Sequence, residues 1–116
     1  MNSYLVERYL PGLSEAEVRA GLRRAESACA DLRATGTEIN YVGSIFLPLE
    51  EACFCRFDSD RPEAVAAANE RAQLAFARIT AGVAIGADDA GALEGAVAPE
   101  GAVAPEGAVA PEGGGV

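Results

Sequence analysis

The sequence predicts an α+β fold of the ferredoxin-like βαββαβ plan, carried by one domain over residues 1–86. Three observations predict it. Residues 14–32 hold a helix start signal followed by apolar residues at helical spacing. Residues 37–57 hold two strand-like runs joined by a link short enough for a hairpin. A second helical segment then separates that hairpin from a last strand-like run.

Taken in order, Tyr4 to Tyr9 is rich in aromatic and β-branched residues and reads as the first strand, which Pro11-Gly12 ends. Ser14-Glu15-Ala16-Glu17 matches the S-x-x-E capping box, in which hydroxyl and carboxylate satisfy free N–H groups at a helix start. Val18, Leu22, Ala25, Cys29 and Leu32 then share one helical face, and the helix is expected to end near Gly36. Thr37 to Leu47 reads as a long second strand, Pro48 to Glu51 as a turn, and Ala52 to Phe57 as a third strand. Asp60-Arg61-Pro62-Glu63 opens the second helix, with Asp60 as its expected cap. Val65, Ala68 and Ala72 form that helix's apolar side, and Arg78 to Ile85 reads as the fourth strand.

After Gly86 the composition changes. The hexapeptide Gly-Ala-Val-Ala-Pro-Glu begins at Gly95 and recurs at Gly101 and Gly107. Recurrent Pro interrupts regular structure and little is left to bury, so residues 87–116 are expected to form a disordered acidic tail. Its rival reading is an interaction module that works through the repeats.

Charge and composition bound the chemistry. The net charge is −9, with nine Arg and no Lys. All nine Arg, against twelve acids, lie before Gly86, and six further acids follow it. That balance argues against nucleic acid, which needs a basic patch. No long apolar run predicts a membrane span and no leader pattern opens the chain, so a cytoplasmic protein is expected. The absence of His excludes Ser-His-Asp and Cys-His nucleophile systems. Cys29, Cys53 and Cys55 are an odd number in a C-x-C arrangement, which argues against a disulfide framework.

Alternation along the strands sorts the candidate site residues. Val6, Val42, Cys55 and Phe57, compact and apolar, are expected under the helices. Glu7, Tyr9, Tyr41, Phe54 and Arg56 are then expected on the open face. An open apolar face requires a cover, so a homodimer of the dimeric α/β-barrel type is expected. Enclosed by that dimer, Glu7 would have a raised pKa and could act as a base or a metal ligand; its alternative is an ion pair with Arg56. Tyr9, Tyr41 and Arg56 could orient a small ligand, or the tyrosines could simply pack. Cys53 and Cys55 share a face and are either soft-metal ligands or small buried apolar residues.

Four segments carry a family resemblance: Tyr4-Leu5-Val6-Glu7-Arg8, Tyr41-Val42-Gly43-Ser44, Cys55-Arg56-Phe57-Asp58 and Arg71-Ala72-Gln73-Leu74 through Arg78-Ile79. Together they resemble the small actinobacterial nickel-binding ferredoxin-like proteins, a domain of unknown function. The resemblance covers residues 3 to about 85 and implies a dimeric α+β fold and, for some members, nickel as cofactor. Where members carry His, this chain has Gly43 and, in the second helix, a residue near Ala68 that is not His. Glu7, Cys53 and Cys55 are then the candidate metal ligands. The expected function is a small dimeric ligand- or metal-binding protein. The alternative is a cofactor-free monooxygenase or cyclase with Glu7 as base, which rests on fold analogy.

Overall fold

The computed structural model describes residues 1–88. It runs β1 (Asn2–Tyr9), α1 (Glu15–Ala34), β2 (Ile39–Leu47), β3 (Ala52–Ser59), α2 (Pro62–Arg71) and β4 (Arg78–Gly82). The strands form one antiparallel sheet in the order β2-β3-β1-β4, with β1 and β3 at its centre. This is the ferredoxin-like α+β plan that the order of elements predicts. One compact unit spans Met1–Val83; of the second, Ala84–Val116, residues 84–88 are described. β4 is shorter than expected, ending at Gly82 rather than Ile85. The repeats of the expected acidic tail lie outside the described residues.

α1 forms where its start signal places it. The Ser14 hydroxyl accepts from the Glu17 N–H at 3.2 Å, and the Glu17 carboxylate accepts from the Ser14 N–H at 2.8 Å. The helix stops through a Schellman arrangement. Gly36, at φ +97°, donates to the Arg33 carbonyl while Thr37 donates to that of Leu32. α2 ends in the same way, with Gln73 at φ 60° donating to Glu70 and Leu74 donating to Asn69. Its start differs from expectation. Pro62 occupies the first turn, but Arg61, not Asp60, is the capping residue and no side chain caps the helix.

The core lies between the two helices and one sheet face. Val6, Cys53, Cys55 and Phe57 from the sheet meet Val18, Ala25, Ala28 and Cys29 of α1 and Val65 and Ala68 of α2. The small residues let both helices lie close to the sheet, which compensates for the few large side chains. Arg8 is the largest side chain fully buried in this layer.

One expected face assignment is corrected. Tyr41 lies on the helical side, its ring 5.4 Å from that of Phe57, while Val42 is exposed. The pairing of β2 with β3 skips from Tyr41 to Gly43. Val42 is thus the extra residue of a β-bulge, which shifts the alternation of everything before it by one.

Candidate functional site

The sheet face away from the helices has no covering element among the described residues. Three cross-strand rows define it. Gly43, Arg56, Leu5 and Thr80 form one, Ile45, Phe54, Glu7 and Arg78 the next, and Leu47, Ala52 and Tyr9 the third. Leu5 is 45% exposed, Tyr9 58% and Ile45 66%. These apolar side chains lie exposed together on one sheet face.

Glu7 sits at the centre of this face, on a central strand. Tyr9 Oη donates to its Oε2 at 2.5 Å, and Arg78 Nε donates to its Oε1 at 3.0 Å. Tyr9 reaches it because residues two apart on a strand share a face; Arg78 reaches it because the two are paired across β1 and β4. The Tyr9 hydrogen bond lowers the Glu7 pKa, partial desolvation opposes it, and the Arg78 hydrogen bond and charge lower it further. The Tyr9 hydroxyl is raised in turn, chiefly because it donates to Glu7. Glu7 of the single chain is therefore a hydrogen-bonded acceptor held below the usual carboxylate range; the raised value expected of it belongs to a carboxylate enclosed by a dimer. Arg56 is not its partner. Arg56 donates through Nε and Nη2 to the two oxygens of Asp58, at 3.2 and 3.1 Å, and so holds the Asp58 carboxyl below its usual range.

Of the sequence-derived candidates, Glu7, Tyr9 and Arg56 share the open face, and Tyr41 does not. The Tyr41 hydroxyl meets Ser44 Oγ at 2.6 Å beside a groove of about 470 Å³ between α1 and the edge strand β2. Sequence reasoning missed Arg78. Its signal was present: as the first residue of the fourth strand it falls opposite the first strand once those two pair.

Cys53 and Cys55 lie on the helical side, fully buried, with sulfurs 3.8 Å apart. Arg8 is buried beside them. Its Nη2 donates to Asn69 Oδ1 at 2.6 Å and to Cys55 Sγ at 3.5 Å, and its Nη1 donates to the Ala75 carbonyl at 3.1 Å. Its Nε has no partner, and none of the ion pairs among the described residues includes it. The hydrogen bond between the two thiols lowers Cys55 against the pull of burial, with help from the Arg8 charge and the Ser44 hydroxyl. Cys53 is pushed up, first by that hydrogen bond and then by burial. Burial likewise raises Cys29 to about 11.

Fold and site together define a small ferredoxin-like α+β protein with one open, partly apolar sheet face and an ionised carboxylate at its centre. Residues 4–81 match the family described as "Nickel responsive protein SCO4226-like", and the chain belongs to that family. Among solved structures, the crystal structure of SCO4226 from Streptomyces coelicolor A3(2) superposes with a TM-score of 0.58 at 14% identity, covering 66% of this chain and 90% of that one. At that identity the likeness concerns the fold. The search of curated proteins returned no match.

The family name raises nickel, but the donors in this chain do not fit a nickel centre. Divalent nickel favours imidazole and other N or O donors, and the chain has no His. Both Glu7 oxygens already accept hydrogen bonds, one from a guanidinium that would repel a cation. Among the described residues, no three of His, Cys, Asp and Glu cluster as a metal site.

Proposed function

We propose that this chain is a non-enzymatic homodimeric binding protein whose open sheet faces pack together around Glu7. The carrying observation is the position of that carboxylate, ionised and held by Tyr9 and Arg78, within a surface whose Leu5 and Ile45 remain exposed. A second copy applied face to face buries both apolar sets and narrows the space around both carboxylates. Each face then offers an acceptor at Glu7 and donors at Arg78, Arg56 and Tyr9. That set suits a small polar ligand carrying its own donor and acceptor. Both Glu7 oxygens already accept hydrogen bonds, from Tyr9 and Arg78, which suits holding a ligand rather than abstracting a proton, so the binding reading is favoured over an oxygenase or cyclase.

Sedimentation equilibrium on the full chain tests the assembly. The expected mass is twice the 11.9 kDa of one chain. A monomer at all concentrations would remove the enclosed site. Calorimetric titration of untagged protein with Ni²⁺ tests the donor argument, and no saturable binding at micromolar concentration is expected.

A further inference from the structure

The groove between α1 and the edge strand β2 takes no part in the open sheet face, and its lining is of a different kind. α1 runs back along β2: Arg33, in the last turn of the helix, donates through Nη1 to the Ile39 carbonyl at the start of the strand at 2.9 Å. The space between them is about 470 Å³, within the range of small-molecule sites. Val18 and Leu22 of the helix, with Phe46 and Pro48 opposite, give it an apolar floor. The Tyr41 and Ser44 hydroxyls, 2.6 Å apart, add one polar spot. Their mutual bond uses one of two hydroxyl protons and leaves further lone pairs to accept.

Four charged side chains of α1 also line the groove. Glu15 and Arg19 neutralise each other through contacts of 2.7 and 2.8 Å. Arg23 and Glu26 do not, and neither belongs to an ion pair among the described residues. Burial above all pushes the Tyr41 hydroxyl up, and the Glu26 charge adds to the rise, so Glu26 stands at the Tyr41 end. Residues three apart on a helix hold their Cβ atoms about 5–6 Å apart. That spacing fits a ligand whose two opposite charges are joined through a single carbon.

We propose that this groove binds a free α-amino acid with a branched or aromatic apolar side chain. Its carboxylate meets the Arg23 guanidinium, its ammonium meets the Glu26 carboxylate, and its side chain covers Leu22 and Phe46. The Tyr41–Ser44 pair supplies a further acceptor for the ammonium. A peptide does not offer the same match, because its terminal charges sit on different residues. A simple carboxylic acid satisfies Arg23 but covers Glu26 without a partner, and a simple amine does the reverse. Either case removes a charge from water without compensation.

The test is titration of the ¹⁵N-labelled full chain with L-phenylalanine and, in parallel, L-leucine, read by ¹H–¹⁵N correlation spectra. The expected result is one molecule per chain with a Kd below about 1 mM, and shifts concentrated at residues 15–26 and 41–48. N-acetyl-L-phenylalanine lacks the ammonium and L-phenylalanine methyl ester lacks the carboxylate; each binds at least about tenfold more weakly. Arg23→Gln and Glu26→Gln each lose about tenfold for L-phenylalanine, and both positions are exposed, so the fold is retained. Glu70→Gln, exposed on α2 and outside the groove, keeps full affinity. In Arg23→Gln the free amino acid loses its advantage over the methyl ester, because the partner of the carboxylate is gone. Absence of saturable binding, shifts centred on residues 5–9 and 52–56 of the open face, full affinity for either blocked probe, or full affinity in Arg23→Gln or Glu26→Gln would each overturn the proposal. A monomeric protein would not affect it, because Leu5, Glu7 and Tyr9 of the open face do not line the groove.

Discussion

Replacing Asn69 by Leu isolates what holds Arg8 in the core. Asn69 is fully buried, and its Oδ1 accepts from Arg8 Nη2 at 2.6 Å, the shortest hydrogen bond the guanidinium makes. Its Nδ2 donates to the Val65 carbonyl at 2.8 Å, within the same helix. Leu keeps the branched shape with larger methyl groups, so no cavity forms; its better helix propensity returns about 0.5 kcal/mol, which overpacking at this buried position offsets. The loss is the bond to the charged group, about 1.5–3 kcal/mol. A further penalty arises because Arg8, with Nε already unsatisfied, then retains only the Ala75 carbonyl and the Cys55 sulfur. The net expectation is destabilisation of about 2–4 kcal/mol. Urea unfolding at pH 7 and fixed protein concentration reads this as a midpoint lowered by about 1–2 M. A loss below about 1 kcal/mol would show that Arg8 does not depend on this acceptor and would refute the reasoning.

Further expectations follow from the same contacts. Ser14→Ala removes the cap of α1 and costs about 1 kcal/mol by urea unfolding, with Ser14→Gly costing less. Gln73→Gly relieves the left-handed backbone at the end of α2 and raises stability by up to about 1 kcal/mol, visible as a higher Tm. The thiols also set a pH window. Cys55 has a lowered pKa, so its contribution is full above the ordinary thiol value of 9.0 and is lost as pH falls below it. Cys29 and Cys53 have raised values, so theirs are full below 9 and decline above it. Unfolding free energy should therefore rise as pH approaches 9 from below and then fall, and Cys55→Ala should flatten the rise. A rise that persists in that variant would assign it elsewhere.

Most of the fold was legible because it is written in local signals. The capping box at Ser14, the short link between Leu47 and Ala52 and the Pro in the first turn of α2 each fix an element without reference to the rest. The face of Tyr41 was not legible, because alternation assumes an unbroken strand and a bulge at Val42 leaves no mark of its own in the sequence. Asp60 failed as a cap because the helix begins one residue later, where Arg61 takes the position. At the site, Glu7 and Tyr9 follow from spacing two on one strand. Arg78 needed the pairing of the first and last strands, which is a tertiary fact. Arg8 alternates with Val6, yet its burial was hidden by the expectation that a charged residue seeks water. Its acceptors, Asn69 and Ala75, lie more than sixty residues away.

The central claim is that the open sheet face closes on a second copy around Glu7, and Ile45→Asp tests it most directly. Ile45 is the most exposed apolar side chain of its cross-strand row and points away from the core beneath the sheet. In a two-fold dimer the change occurs twice, each copy losing apolar burial worth about 2 kcal/mol, or roughly a thousandfold in dissociation constant. Sedimentation equilibrium should show the native chain as a dimer and Ile45→Asp as a folded monomer. A native monomer, or a variant that dimerises as tightly as the native chain, would contradict the account.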